Sequence, residues 1–291
     1  IALGCMRIAN KSVEEVEELV KTALDCGINF FDHADIYGGG KSEELFGQVL
    51  EKHPEYREKM IIQTKCAIVP GKRYDFSKEY IINAVNGSLE RLHTDHVEIL
   101  LLHRPDALCD PQEVAEAFDE LYVSGKVKYF GVSNHTPGQI ALLQKYTKHP
   151  IIINQLQLSI VHSVMIDSGM NMNMKEDFAI DKDGGVLDYC RLNDITIQAW
   201  SIVQASWAEG TFLNHPDYKK LNNVLDDLAK KYNVTPATIA TAWILRHPAH
   251  IQAITGTTSP KHLIETAEAA NIELTRQEWY DLYLASGKPL P

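Results

Sequence analysis

The sequence predicts an α/β protein that folds as a single (β/α)8 TIM barrel. Eight short β-rich runs alternate with amphipathic stretches along the 291 residues, at about 36 residues per repeat. Such alternation is typical of parallel β-α-β units, which form an open doubly wound sheet or a closed barrel. The count of eight favours the barrel, as does the absence of a G-x-G-x-x-G turn after the first run. No linker or charge block divides the chain, so residues 1–291 are expected to form one domain.

The predicted strands are short runs rich in β-branched and aromatic residues, each followed by a polar residue and a loop. In chain order they cover residues 3–8, 28–32, 60–65, 97–103, 127–133, 151–156, 195–201 and 251–255.

The predicted helices are stretches whose apolar residues recur at helical spacing. Ser12 and Glu15 have the spacing of a capping box, and Gly27 marks the end of that helix. Pro111 stands at a tolerated first-turn position, and Gly125 follows the same helix. The helices are predicted at residues 12–26, 42–51, 77–92, 111–124, 137–146, 186–193, 217–232, 236–246, 260–270 and 276–285.

Composition and charge exclude several classes of protein. Apolar residues make up 45% and charged residues 23% of the chain, which argues against disorder and coiled coil. The net charge of −11 makes nucleic acid an unexpected partner, because phosphate binding needs clustered Lys and Arg. A few hydrogen-bond donors that point at one site can still bind a small anionic cofactor.

The cysteines and apolar runs predict location. Five cysteines, none in a C-x-x-C pair, indicate a reducing compartment rather than a disulfide framework. No apolar run reaches the roughly 18 residues that span a bilayer. We therefore expect a cytoplasmic protein without a membrane partner.

Polar residues close nearly every predicted strand. The carboxyl ends of barrel strands and the loops after them build the active site. Apolar strands do not need such ends for packing, so the set as a whole points to function. It comprises Asp32, Lys65, His103, Ser133, Gln155, Ser201 and the run Gly256, Thr257 and Thr258.

Asp32, Lys65 and His103 end three consecutive strands, and Tyr37 follows in the loop after Asp32. The Lys65 ammonium is expected to lower the pKa of Tyr37 from its reference value of about 10, with Asp32 keeping the lysine charged. His103 can donate to a carbonyl oxygen. These four residues suit proton delivery to an oxygen that becomes an alkoxide. The structural alternatives are a buried Asp32–Lys65 ion pair, a tyrosine at the surface and a core histidine.

Other chemistries fit the sequence poorly. The glycines before Lys41 and Ser42 imitate a phosphate-binding loop, but Asp35 stands where its first glycine is required. The glycines are therefore expected to form a flexible turn beside Tyr37. A G-x-S-x-G motif and an H-E-x-x-H motif are both missing, so we expect neither a serine hydrolase nor a metal site.

Over essentially its whole length the chain resembles the aldo-keto reductase superfamily, and within it the bacterial reductases of the YdhF type. The motifs that carry the resemblance are GINFFDHADIYG at 27–38, SE at 42–43, QTK at 63–65, LLLHRPD at 100–106, GVSN at 131–134 and NQ at 154–155.

The resemblance implies a carbonyl oxidoreductase that uses NADPH, with NADH as the alternative, and a small-molecule aldehyde or ketone as substrate. Its catalytic tetrad falls on Asp32, Tyr37, Lys65 and His103, with Tyr37 as general acid. The other implied reading is a cofactor-binding regulatory subunit with little turnover. The residues that the resemblance assigns to the cofactor are Met6, Ser133, Asn134, Gln155, Trp200, Ser201, Ile202, Gly256, Thr257, Thr258, Lys261, His262, Glu265 and Thr266.

Several positions depart from the family pattern. His33 stands where a small hydroxyl residue is usual, and Thr255 replaces a proline. His262 replaces an arginine, and Thr266 an asparagine, in the part that holds the adenosine 2′-phosphate. Because histidine is mostly neutral at pH 7, Lys261 would have to supply the positive charge that binds the 2′-phosphate. We therefore expect a preference for NADPH that is smaller than usual.

Overall fold

A computed structural model, which describes residues 1–290, contains eight parallel strands that close into a barrel. Each strand pairs with its neighbours in chain order, and the last pairs with the first. The predicted (β/α)8 fold is confirmed. The strands are β1 Ala2–Gly4, β2 Phe30–Asp32, β3 Ile61–Cys66, β4 Val97–Leu102, β5 Val127–Ser133, β6 Ile151–Gln157, β7 Thr196–Trp200 and β8 Gln252–Thr255.

Six of the helices in residues 1–290 begin at a polar residue whose side chain caps the first turn. The Ser12 hydroxyl accepts from the Glu15 N–H while the Glu15 carboxylate accepts from the Ser12 N–H, which is the predicted capping box. Pro111 occupies the first turn of its helix, as predicted. The helices are α1 Val13–Asp25, α2 Lys41–Lys52, α3 Lys78–Arg91, α4 Pro111–Val123, α5 Pro137–Tyr146, α6 Val164–Met170, α7 Val186–Leu192, α8 Lys219–Tyr232, α9 Pro236–Leu245, α10 Pro260–Ala267 and α11 Arg276–Ala285.

The structure corrects one predicted strand and adds elements that the sequence did not predict. The strand predicted at 3–8 ends at Gly4, and Met6–Asn10 forms a 3₁₀-helix. The Cys5 N–H still donates to the Asp32 carbonyl, but Cys5 itself has turned away from extended geometry. Helix α6 was not predicted, because it has only seven residues and contains Gly169. Two short hairpins, Ile68–Val69 with Arg73–Tyr74 and Gln204–Ser206 with Gly210–Thr211, were also missed.

Strand register brings the polar strand ends together. Asp32 of β2 lies opposite Gln63 of β3, and Ser133 of β5 lies opposite Gln155 of β6. Alternate strand residues point to opposite faces, so Gln63 and Lys65 share one face of β3. The apolar residues between these ends are buried, which fixes the register.

Contacts divide the described chain into two compact units. The amino-terminal unit comprises Ala2–Gln155 and Gly256–Pro260; the carboxy-terminal unit comprises Ile1, Leu156–Thr255 and residues 261–290. Stacked Phe118 and Phe130, with ring centroids 4.0 Å apart, belong to the core of the first. Stacked Trp243 and Trp279 belong to the core of the second. That residues 1–291 form one domain stays a prediction. None of the helices among residues 1–290 is both long and apolar enough to cross a membrane.

Candidate active site

Lys65 lies at the centre of the site, and its side chain is completely buried. Its ammonium has three N–H groups and three acceptors: an Asp32 carboxylate oxygen at 2.8 Å, the His33 carbonyl at 2.9 Å and the Tyr37 hydroxyl at 2.9 Å. Burial alone disfavours the ammonium, but Asp32 and then Tyr37 outweigh it and raise the pKa of Lys65. The lysine is therefore a fixed positive charge at neutral pH.

Asp32 accepts hydrogen bonds from two amides as well as from Lys65. Gln63 Nε2 lies 2.5 Å and Gln155 Nε2 2.9 Å from the same carboxylate oxygen. All four side chains are buried. A buried carboxylate without such partners would be costly. We did not predict the role of Gln63, although its position two residues before Lys65 on the same strand face was a usable signal.

Tyr37 is positioned by the glycine turn that follows it. Gly38, Gly39 and Gly40 all have positive φ, as the predicted flexible turn requires. A side chain at Gly38 would put its Cβ 2.3 Å from the Ala9 Cβ. The Lys65 ammonium lies 4.8 Å from the centre of the Tyr37 ring in addition to its bond to the hydroxyl. The hydrogen bond to Lys65 thus fixes the position of the phenol oxygen.

The prediction that the pKa of Tyr37 is lowered is wrong: its pKa is raised. Burial raises the pKa of Tyr37 above its usual value, and this outweighs the lowering by the Lys65 ammonium. Asp32 adds to the increase. Tyr37 is consequently a protonated phenol at neutral pH, and Lys65 limits the increase rather than reversing it.

His103 faces the same group. Its ring lies edge-on to Tyr37, with the centroids 6.0 Å apart. Burial lowers the pKa of His103 to about 2, and the Lys65 and Arg104 cations act in the same direction. The imidazole is neutral, and its Nδ1 is buried with no hydrogen-bond partner among residues 1–290. The sequence-predicted quartet is therefore gathered at one place.

Three residues assigned to the cofactor meet at the ends of β5 and β6. The Ser133 hydroxyl donates to the Gln155 carbonyl at 3.0 Å, and Asn134 Nδ2 donates to the Ser133 hydroxyl at 2.8 Å. Asn134 has a φ of 60°, a left-handed conformation that asparagine tolerates. Because Gln155 also contacts Asp32, this amide cluster adjoins the quartet directly.

The remaining predicted cofactor residues of the amino-terminal unit lie at its chain ends. Met6 is 36% exposed in the first 3₁₀-helix, and its carbonyl accepts from Ser42. Gly256, Thr257 and Thr258 form the loop after β8, where the Thr257 hydroxyl accepts from the Ser259 N–H.

The carboxy-terminal unit holds the other seven predicted cofactor residues. Trp200 ends β7, Ser201 has a φ of 58°, and Ile202 is buried. Four lie on α10, where the 81% exposed Lys261 side chain pairs with Glu265 at 3.8 Å. The Thr266 hydroxyl donates to the His262 carbonyl of the preceding turn. These assignments stay predictions.

A second layer of buried charge lies behind the quartet. The Glu43 carboxylate is fully buried; it accepts from Arg91 at 2.8 Å and from the Thr64 hydroxyl at 2.6 Å. Asp35, which bonds the Lys65 carbonyl through its own N–H, has one carboxylate oxygen without a hydrogen-bond partner among residues 1–290. Burial, followed by Glu43, raises the pKa of Asp35 to about 7. No group of three metal-ligating side chains occurs within residues 1–290.

Comparison with known proteins identifies relatives over the whole chain. A model described as the aldo/keto reductase family matches residues 1–283. Oxidoreductase YdhF of Escherichia coli K12 is 34% identical over 285 residues, which cover 95% of this chain and 89% of the relative. The 6-dehydroglucose reductase of Novosphingobium aromaticivorans is 36% identical over 303 residues, covering 100% of this chain and 93% of the relative.

Solved structures are similar in fold. A thermostable aldo-keto reductase, Tm1743, in complex with the inhibitor epalrestat has a TM-score of 0.78 and 26% identity, covering 98% of this chain and 94% of that one. An aldo-keto reductase from Klebsiella pneumoniae in complex with NADPH has a TM-score of 0.76 and 22% identity, and the match covers 100% of this chain and 91% of that one.

Proposed function

The chain belongs to the aldo/keto reductase family of carbonyl oxidoreductases, and we propose that it reduces aldehydes or ketones to alcohols with NADPH, using Tyr37 as the proton donor. The observation that carries the proposal is the 2.9 Å contact between the Lys65 ammonium and the Tyr37 hydroxyl. A protonated phenol beside a fixed cation is a proton donor whose conjugate base is stabilised as soon as it forms.

Lys65 and Asp32 act as positioning residues for this step. The ammonium donates to the phenol oxygen, so the hydroxyl proton is left to point away from the lysine and toward a substrate oxygen. As the proton leaves, the negative charge on Tyr37 gains the attraction of Lys65, which Asp32 and His33 hold in place. Because Lys65 and Asp32 are buried, water screens this attraction less than it would at the surface.

His103 orients the substrate carbonyl. A neutral imidazole carries one N–H, and Nδ1 is the nitrogen that has no partner. Placing the proton on Nε2 leaves the buried Nδ1 as a bare acceptor and gives the carbonyl oxygen a second donor. The very low pKa of His103, about 2, keeps it from competing with Tyr37 as an acid at neutral pH.

The amide cluster at the ends of β5 and β6 fits a nicotinamide. A carboxamide offers one acceptor and two donors, and Ser133, Asn134 and Gln155 supply hydroxyl and amide groups of both kinds within one cluster. When bound, NADPH supplies the hydride that reduces the carbonyl carbon. The NADPH of the Klebsiella pneumoniae relative supports this choice of cofactor.

A panel of carbonyl compounds tests the proposal. Initial rates of NADPH and NADH oxidation would be measured with aliphatic aldehydes, aromatic aldehydes, ketones and 6-dehydroglucose, the last because of the relative with that name. We expect turnover with at least one class and a modest preference for NADPH. Tight NADPH binding without turnover on any member would instead favour the regulatory subunit. Cytoplasmic location and the lack of a nucleic-acid partner stay predictions.

A further inference from the structure

Arg91, the last residue of α3, contacts the turn that positions Tyr37. A side chain at Gly40 would put its Cβ 3.0 Å from Cδ and 3.2 Å from Nε of Arg91. Gly40 is the last residue of the 3₁₀ turn that begins at Tyr37, and it is also the N-cap of α2. The Arg91 side chain therefore packs directly on the backbone of the Tyr37 turn.

The guanidinium group of Arg91 also binds the first turn of α2. Its Nε lies 2.9 Å and its Nη2 lies 2.8 Å from the same carboxylate oxygen of Glu43. The other Glu43 oxygen accepts from the Thr64 hydroxyl of β3 at 2.6 Å. Because Thr64 directly precedes Lys65, Glu43 joins α3 to the strand that carries the lysine.

Helix α2 meets Arg91 a second time, two turns further along. A Cβ at Gly47 would lie 2.1 Å from the Arg91 carbonyl oxygen, so the two helices are in close backbone contact there. Helix α2 is thus packed against one residue at both Gly40 and Gly47. Close-packed elements transmit displacements to their neighbours, so a shift at Arg91 would move the start of α2 and the turn before it.

Arg91 is also the cation nearest in effect to two acidic side chains of this region. Glu43 is completely buried and forms its ion pair with Arg91. Burial and Glu43 raise the pKa of Asp35, whereas Arg91 lowers it. Without the guanidinium group, the two carboxyl groups would be left to repel each other. Asp35 lies two residues before Tyr37, so this repulsion would act on the same turn.

We propose that Arg91 is a positioning residue for carbonyl reduction, which holds the Tyr37 turn against β3 through Gly40 and Glu43. The inference rests on the proposed role of Tyr37 as proton donor. Arg91 acts through the position of the phenol, and a displacement of about 1 Å can reduce a rate about a hundredfold. The role therefore differs from that of an ion pair that only stabilises the fold.

Arg91→Met and Arg57→Met form a matched pair of variants. Arg57 also binds a mostly buried carboxylate, that of Glu98 at 3.0 Å, but Glu98 lies at the amino end of β4, away from His103. Both variants should lower the urea midpoint, because each leaves a carboxylate without its cation. Only Arg91→Met should lower kcat, by about tenfold to a hundredfold.

Lysine variants at the same two positions separate positioning from misfolding. Arg91→Lys keeps the charge and the aliphatic stem but cannot make both N–H contacts to Glu43, so kcat should fall less than in Arg91→Met. Arg57→Lys should keep the wild-type kcat. If Arg91→Met does not fold, the two lysine variants carry the comparison, and equal kcat values for them would overturn the proposal.

A readout apart from activity follows Tyr37 itself. The chain would be labelled with 3-fluorotyrosine, and the ¹⁹F resonance that is missing from Tyr37→Phe would be assigned to Tyr37. This resonance should move in Arg91→Met and stay at its wild-type position in Arg57→Met. The proposal is overturned if both variants have the same kcat or if the Tyr37 resonance does not move in Arg91→Met. If the wild type reduces no carbonyl compound, the proposed function fails, and the resonance alone decides whether Arg91 positions Tyr37.

Discussion

Replacing Lys65 with methionine tests whether the buried charges act as one unit. The variant removes a cation that is completely buried and leaves Asp32 with only the amides of Gln63 and Gln155. Removing one partner of a buried ion pair destabilises a protein by about 3–5 kcal/mol. Because Asp32 keeps its hydrogen bonds to two amides, we expect Lys65→Met to lower the free energy of unfolding by about 3 kcal/mol. That is a large part of a domain's usual stability of about 5–15 kcal/mol.

Urea unfolding followed by circular dichroism measures this loss, with Lys52→Met as the matched control. Lys52 makes only exposed ion pairs, to Glu14 and Glu17 at 3.5 and 3.4 Å, so its replacement should not shift the midpoint resolvably. In addition, kcat of Lys65→Met should fall about a hundredfold or more, since the phenolate loses its stabilising cation. Equal midpoints for the two variants, or a kcat within tenfold of wild type, would show that Lys65, Asp32 and Tyr37 do not act as one unit.

Three further predictions concern pH, cofactor and domain structure. The pKa of Asp35 is raised from 3.8 in the unfolded chain to about 7, so the folded state binds the proton more tightly, and stability should fall as the pH rises from about 4 to about 7. In Asp35→Asn, the urea midpoint should depend less on pH across this range. If the pH dependence were unchanged, groups other than Asp35 would cause it. The ratio of kcat/KM for NADPH to that for NADH should exceed one and fall in Lys261→Gln, whereas a wild-type preference for NADH would rule out the expected role of Lys261. All four tryptophans lie in the carboxy-terminal unit, so if the chain is one domain their fluorescence and the circular dichroism of the whole chain should report the same unfolding midpoint.

Most of the fold could be predicted because its signals are local. The strand predicted at residues 127–133 is observed as Val127–Ser133, since a run that contains β-branched and aromatic residues ends there at the polar Ser133 and Asn134. Helix α1 begins at the capping box of Ser12 and Glu15 because both hydrogen bonds form within four residues. Segments without such signals were missed, among them the short helix α6 and the 3₁₀-helix that follows Gly4.

The sequence predicted which residues form the quartet but not the direction of the Tyr37 pKa shift. Strand ends selected Asp32, Lys65 and His103, because parallel strands bring their carboxyl ends to one side of a barrel. The direction of the Tyr37 pKa shift was not predicted, because it depends on whether burial or the lysine charge has the larger effect. Burial depends on packing around the whole ring, which the sequence does not reveal. Gln63 was missed for a similar reason: a neutral amide in a strand has no pattern of its own.

Tyr37→Phe tests whether Tyr37 delivers the proton. The ring and its packing survive the change, so the Kd for NADPH, measured by titration, should stay close to that of wild type. In parallel, kcat for carbonyl reduction should fall about 10²- to 10⁴-fold, the usual contribution of general acid catalysis. A Phe variant that kept more than about a tenth of the wild-type kcat would contradict the claim and would show that the proton comes from another group.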